Sequence, residues 1–130
     1  MYSAPVEDWE RILHLAHVWE FQEVKKLVVR ELEKKEIDDV ERIALYHRYD
    51  IDRQLLLPSY TILCAREEPF TVTEGNTLGM ETTLMLVAAR ERARRNWTPD
   101  MNEDEWVSLC EASVVDIFTE HEESSASEDG

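Results

Sequence analysis

The chain has 130 residues, of which 43% are hydrophobic, and it carries a formal net charge of −15 at pH 7. This length suits one ordinary domain with a hydrophobic core. So acidic a surface repels phosphate groups, which argues against direct binding to nucleic acid or to an anionic membrane. The sequence contains neither a bilayer-spanning apolar run of roughly 20 residues nor a secretory signal after Met1. We therefore expect a soluble intracellular protein of the cytoplasm or the nucleus.

Helices are favoured by the composition, because the chain has only three Gly and four Pro and is rich in residues that lose little side-chain freedom in a helix. Apolar residues at the helical period predict a first helix over about 6–18 and a second over about 21–35. The residues expected on their inward faces are Trp9, Ile12, Leu13, Leu15 and Ala16, followed by Phe21, Val24, Leu27, Val28 and Leu32.

Capping residues predict the next two helices. Asp38 is a suitable N-cap with Glu41 three residues later, and this third helix should end near Tyr49. Asp52 can cap a fourth segment over 53–66. Pro58 should divide that segment into a short turn and a fuller helix, since its ring clashes with the preceding turn of a helix.

The remaining boundaries follow the same rules. Thr71 and Glu74 form a capping box for a brief helix that ends at Gly79, and a longer helix follows over 80–95. Thr98-Pro99 is typical of an N-cap and a first-turn proline, and we expect a last helix from Glu103 to about Thr119.

Together these elements predict an all-α fold of six or seven helices, packed as successive antiparallel hairpins in one domain over residues 1–120. The negative charge is concentrated at the C-terminal end, since residues 96–130 carry eleven acidic groups and neither Lys nor Arg. Within this stretch, 96–120 should contribute an acidic terminal helix. Residues 121–130 cannot bury apolar area and should form a disordered acidic tail.

Five segments resemble the helical region that follows the BTB/POZ fold in basidiomycete fungal BTB-domain proteins. They are WERILHLAHVWEF, KLVVRELE, RIALYHRY, DRQLLLPSYTILCAR and EGNTLGMETTLMLVAARERAR. The resemblance covers about residues 6–95 and includes neither the BTB fold itself nor the acidic segment 96–130. It implies a role in protein interaction, by analogy with BTB proteins that serve as adaptors or regulators. It supplies no catalytic residues.

Histidine clusters are the main candidates for chemistry. Glu10, His14 and His17 would share one edge of a helix, but a zinc site needs further ligands and a supporting shell, so we interpret them as ordinary surface or hydrogen-bonded side chains. His47 lies between two tyrosines without a nucleophile that can be placed beside it. Cys64 and Cys110 form no CxxC pair and suit reduced, buried thiols. We expect neither an enzyme nor a metal or cofactor site.

An arginine-rich run ends the helix over 80–95. Arg90, Arg94 and Arg95 would suit the negative end of the helix dipole, and the acidic segment that follows can fold back onto them. We therefore predict an intramolecular charge cluster, with a nuclear signal or an RNA contact as the alternatives.

A partner-binding groove is predicted near Trp97, at the junction of the last two helices, together with Met80, Met101 and Trp106. Ordinary core packing is the commoner use of such residues. The leading functional hypothesis is a non-catalytic interaction or adaptor module for a protein partner. The alternative is an acidic regulator that binds a basic partner through residues 96–130. An exposed apolar patch around residues 1–9 would favour a homo-oligomer.

Overall fold

The computed structural model describes residues 5–128, and the side chains of residues 5–123. It contains seven α-helices and one 3₁₀ turn, and the described residues include no strand: α1 Val6–Val18, α2 Gln22–Glu33, α3 Asp39–Arg48, the 3₁₀ turn Arg53–Leu56, α4 Leu57–Ala65, α5 Val72–Leu78, α6 Met80–Arg95 and α7 Glu103–Glu128. The predicted all-α fold of six or seven helices is confirmed. Among these helices none is long and apolar enough to cross a membrane.

Side-chain caps set several helix starts where the sequence predicts them. The Asp38 carboxylate accepts the Glu41 N–H at the start of α3. At the start of α5, Thr71 and Glu74 form both hydrogen bonds of a capping box. Gly79 then separates α5 from α6 with a φ of 88°, a left-handed conformation that glycine adopts without steric cost.

The segment around Pro58 also follows the prediction. Asp52 accepts the Gln54 N–H at 3.0 Å and caps the 3₁₀ turn. Pro58 lies in the first turn of α4, where its missing N–H would have had no partner inside the helix.

The start of α7 differs from the prediction. Thr98-Pro99 does not open this helix, because the Met101 N–H donates to the Thr98 carbonyl at 3.1 Å and closes a separate turn. Asn102 provides the cap instead, since its side-chain oxygen accepts the Glu105 N–H at 2.8 Å.

The end of α7 differs as well. The helix is expected to end near Thr119, with a disordered tail from residue 121, but the structure continues it to Glu128. Neither Gly nor Pro interrupts residues 103–128, so local backbone preference does not end the helix at Thr119. His121 also contacts Glu81 of α6, with 2.7 Å between Nε2 and Oε1. Residues 129–130 of the predicted tail lie outside the described residues.

One hydrophobic core joins the helices, and its largest fully buried side chains include Tyr46, Leu13, Leu32, Ile43 and Leu86. The neighbouring pairs α1–α2, α3–α4, α5–α6 and α6–α7 pack together, and α7 also packs on α4. The Cα atoms of α1 and α2 come within 8 Å of one another. In the described part of the chain, no other helix has Cα atoms within 8 Å of those of α1 or α2. The hairpin joins the rest of the domain through Leu13, Val28 and Leu32, which belong to the common core, and through the Arg48–Glu10 ion pair.

Candidate interaction surfaces

Arg90 is buried and has a structural role. Its guanidinium donates hydrogen bonds to the main-chain carbonyl oxygens of Leu63, Cys64 and Glu68 at 2.6, 3.3 and 3.1 Å. It also lies over the ring of Phe70, 4.7 Å from the centroid. Burial lowers the pKa of Arg90. The predicted pairing of Arg90 with the acidic segment is wrong, because main-chain carbonyls at and after the end of α4 supply its acceptors.

The acidic helix does contact α6, but through a different arginine. Arg92 forms two hydrogen bonds to the Glu120 carboxylate, at 3.0 and 3.1 Å. This contact lowers the pKa of Glu120 from its ordinary value. Arg94 and Arg95 are exposed, and within residues 5–123 neither forms an ion pair with a carboxylate. The sequence did not indicate Arg92, because a run of arginines does not show which of them faces α7.

Trp106 completes the cap of α4. Its ring Nε1 donates to the Ala65 carbonyl at 3.1 Å, while the Arg66 N–H donates to the Ile62 carbonyl at 3.1 Å. With Arg90, these donors satisfy the last four carbonyls of α4, which an α-helix leaves unpaired. Trp106 therefore has a structural role that its position in the sequence does not reveal.

Three of the four predicted partner-binding residues line one groove. Trp97, Met101 and Trp106 lie along a depression of about 430 Å³, which Arg66 and Arg94 also border. Trp97 is half exposed, and the groove is shallow and partly polar. The structure therefore brings these three residues together beside charged side chains.

Met80 lies elsewhere, at the start of α6. It is exposed in a second groove of about 570 Å³ between α5 and α6. Phe70, Val72 and Leu84 contribute further apolar surface to this groove. The predicted set is thus divided between two grooves.

His47 shares a hydrogen bond with Tyr60, with 2.7 Å between Nε2 and Oη. The Tyr60 ring stacks on Phe118 of α7 at a centroid distance of 4.5 Å. Burial and the nearby Arg53 lower the pKa of His47, and burial raises the pKa of Tyr60 to about 12. These contacts connect α3, α4 and α7.

The other predicted histidine cluster is divided by its contacts. His14 and His17 both meet the ring of Tyr49 edge to face, at 6.0 and 5.8 Å. Glu10 instead forms an ion pair with Arg48 at 2.8 Å. In the described part of the chain, no group of three or more His, Cys, Asp or Glu side chains is arranged to hold a metal ion.

A further surface, which we call the hairpin face, lies on α1, α2 and the turn between them. Its large apolar side chains are between 39% and 66% exposed: Ile12, Leu15, Val18, Trp19, Phe21, Val24 and Leu27. The sequence predicts that five of these seven lie in the core, and that prediction is wrong for them because the structure leaves them exposed. The structure buries only the neighbouring stripe of the same two helices, namely Leu13, Ala16, Val28 and Leu32.

A tight turn shapes the tip of the hairpin face. Glu20 adopts a left-handed φ of 58°, and the Phe21 N–H donates to the Ala16 carbonyl at 2.8 Å. This is the geometry in which helices commonly end, although glycine usually occupies the left-handed position. The turn places the rings of Trp19 and Phe21 at 6.4 Å from each other, so that two aromatic side chains extend the apolar surface beyond the helices.

The hairpin face is large for a lone protein. Taking roughly 200 Å² for each large apolar residue, the seven exposed fractions amount to about 700 Å². Monomers rarely expose apolar patches above roughly 300–600 Å² without a functional reason. The α5–α6 groove offers fewer such residues.

The chain matches no family model, no curated protein and no solved structure. Of the three surfaces, namely the two grooves and the hairpin face, the hairpin face exposes the most large apolar residues. It is therefore the strongest candidate site for another protein.

Proposed function

We propose that this protein is a non-catalytic interaction or adaptor module that binds a protein partner through the hairpin face. The observation that carries the proposal is the exposure of seven large apolar side chains on one helical hairpin. Burial of such surface against a partner is the dominant favourable contribution to most protein association. The two aromatic residues at the tip, Trp19 and Phe21, are of a type that is enriched at interfaces.

The family resemblance over residues 6–95 supports the same proposal. By analogy with BTB proteins that serve as adaptors or regulators, the resemblance of these segments to the helical region of fungal BTB proteins implies a role in protein interaction. An acidic chain is unsuited to partners with phosphate backbones, so the proposed partner is a protein, met in the cytoplasm or the nucleus. The proposal requires neither a cofactor nor a metal ion.

Substitutions on the hairpin face test this function. Leu15 and Leu27 are 57% and 50% exposed, so Leu15→Glu and Leu27→Glu should leave the fold intact. Leu84 is 60% exposed in the α5–α6 groove, so Leu84→Glu is a matched control with the same change of charge. We expect partners captured by the wild-type chain to be lost by both hairpin variants and retained by the control. Equal capture by all four proteins would contradict the proposal.

A second candidate function is that of an acidic regulator which binds a basic partner through α7. In the described residues, Glu105 and Glu111 are exposed and form no ion pair. Truncation of the chain after Asn96 cannot test this idea, because it would remove Cys110 and Val114 from the core, where they are buried.

Neutralisation of exposed carboxylates on α7 is the better test. The variant would carry Gln at four of the exposed acidic positions of α7 that form no ion pair within the described residues: Glu105, Glu111, Glu122 and Glu123. The acidic-regulator function predicts weaker binding of the partner and a reduced dependence of that binding on salt. The hairpin function predicts no change in either.

A further inference from the structure

We propose that the partner on the hairpin face is a second copy of this chain, and that the two copies pack their α1–α2 hairpins into a four-helix arrangement. This inference rests on the proposed function, because it identifies the occupant of the same surface. The contact would be symmetric, so that each residue of the face meets the equivalent surface of the other copy.

The size of the face fits a dimer. A specific interface of standard size buries about 800 Å² on each partner, and the hairpin face exposes about 700 Å² of apolar side chain when each residue is taken as roughly 200 Å². Homodimer interfaces are also more apolar than other interfaces. The area available on this face is therefore close to what a stable dimer needs.

The width of the face favours another hairpin over a single helix. The exposed side chains lie on both α1 and α2, and Trp19 and Phe21 extend the surface at the turn. One helix is about 10 Å wide, which is the width of α1 or α2 alone, so a single helix would leave part of a face that extends over both in water. A second α1–α2 pair covers both helices, as in four-helix bundles.

The distribution of charge permits two such acidic chains to meet at this surface. The acidic α7 packs on α4 and α6 and approaches neither α1 nor α2. Within the hairpin, the exposed cations Arg11, Lys26 and Arg30 lie among the acidic side chains, so this part of the surface carries both signs of charge. Salt also weakens any repulsion between the two acidic helices, because exposed charges further apart than about 10 Å are largely screened.

Sedimentation equilibrium over a wide range of concentration tests the proposal. The wild-type chain should approach twice its mass of 15.3 kDa as the concentration rises. Each substitution occurs twice in a symmetric dimer, so Leu15→Glu and Leu27→Glu should raise the dissociation constant at least a hundredfold, about 2.7 kcal/mol. Leu84→Glu should dimerise like the wild type. Circular dichroism should show the same helix content in all four proteins.

Two results would overturn the proposal: a wild-type chain that stays monomeric at every concentration, or a dimer that the hairpin variants retain. A monomeric wild type that loses a captured partner in the hairpin variants leaves the proposed function intact and rejects only the second copy. A dimer that the hairpin variants disrupt, while capture of other proteins is unchanged, supports the second copy and rejects a different protein as the occupant of the face.

Discussion

Arg90 donates a 2.6 Å hydrogen bond from its Nη2 to the main-chain carbonyl oxygen of Leu63. Its Nε reaches the next carbonyl, that of Cys64, at 3.3 Å. The cation therefore lies at the C-terminal end of α4, where the helix dipole favours positive charge. This one side chain connects α6 to α4 and satisfies acceptors that burial would otherwise leave unpaired.

Replacement of Arg90 should destabilise the domain strongly. Arg90→Met keeps most of the apolar length but removes three hydrogen bonds to main-chain carbonyls, so we expect a loss of about 3 kcal/mol in the free energy of unfolding. Urea denaturation measures it. Arg95→Met on the exposed end of α6 is the control and should change stability by less than about 0.5 kcal/mol. Equal effects of the two substitutions would show that the carbonyl contacts contribute little.

The Glu74 carboxylate at the start of α5, which pairs with Arg66, should make stability depend on pH at acidic values. The Arg66 guanidinium and the Thr71 N–H lower the pKa of Glu74 to about 2, whereas an unfolded glutamate titrates near roughly 4.3. Between these values the unfolded chain binds more protons, so stability falls as the pH falls through this window. Glu74→Gln removes the charge that pairs with Arg66, so it should be less stable than the wild type at neutral pH by about 1 kcal/mol, and the difference should shrink towards pH 2.

Denaturation curves at several pH values measure this difference. Glu67→Gln is the matched control, because Glu67 lies on the neighbouring loop and forms no ion pair in the described residues. A difference between wild type and Glu74→Gln that stays constant with pH would show that the carboxylate is not the group responsible.

His47 should contribute a second dependence on pH, nearer neutrality. Its pKa is lowered by burial and by Arg53, so in the window below roughly 6.5 the unfolded state binds the proton more readily and acidification destabilises the fold. His47→Gln should flatten the fall in stability that begins there, whereas His14→Gln on the exposed edge of α1 should not. Thermal unfolding between pH 7 and the onset of carboxylate titration measures how steeply stability depends on pH. Equal slopes in wild type and His47→Gln would show that His47 does not contribute to this dependence.

The two cysteines should be inert in the folded protein. Cys64 and Cys110 are fully buried, and burial raises the pKa of both thiols, that of Cys110 to about 12. Thiolates are the reactive form, so labelling by a thiol reagent should be slow in buffer and fast in denaturant, with a native rate that follows unfolding. Rapid labelling of either cysteine in buffer would show that the contact between α4 and α7 opens without unfolding.

Helix positions could be predicted because their causes are local. The bounds of α1 and α6 follow from apolar spacing, and the capping residues Asp38 and Thr71 act on N–H groups only three residues away. Thr98-Pro99 misled the prediction because Asn102, four residues after Thr98, offers an equally good cap.

Surface and core could not be separated in the same way. Leu27 and Val28 are adjacent apolar residues of α2, yet Leu27 is half exposed and Val28 is fully buried. Periodicity shows that a helix has an apolar stripe, but the width of the stripe does not tell which part another helix covers. The contacts of Arg90 and Arg92 could not be predicted for the same reason. Tertiary packing decides that Arg90 contacts α4 and that Arg92 contacts α7.

Site-specific photo-crosslinking at Leu27 tests most directly whether the hairpin face holds a protein. A photoreactive phenylalanine analogue would replace Leu27 in one protein and the similarly exposed Leu84 in another. We predict crosslinks to a protein, a second copy or another chain, from position 27, and their loss when Trp19→Glu is added. Crosslinking from position 27 that is no stronger than from position 84 would contradict the proposal that the hairpin face is the docking surface.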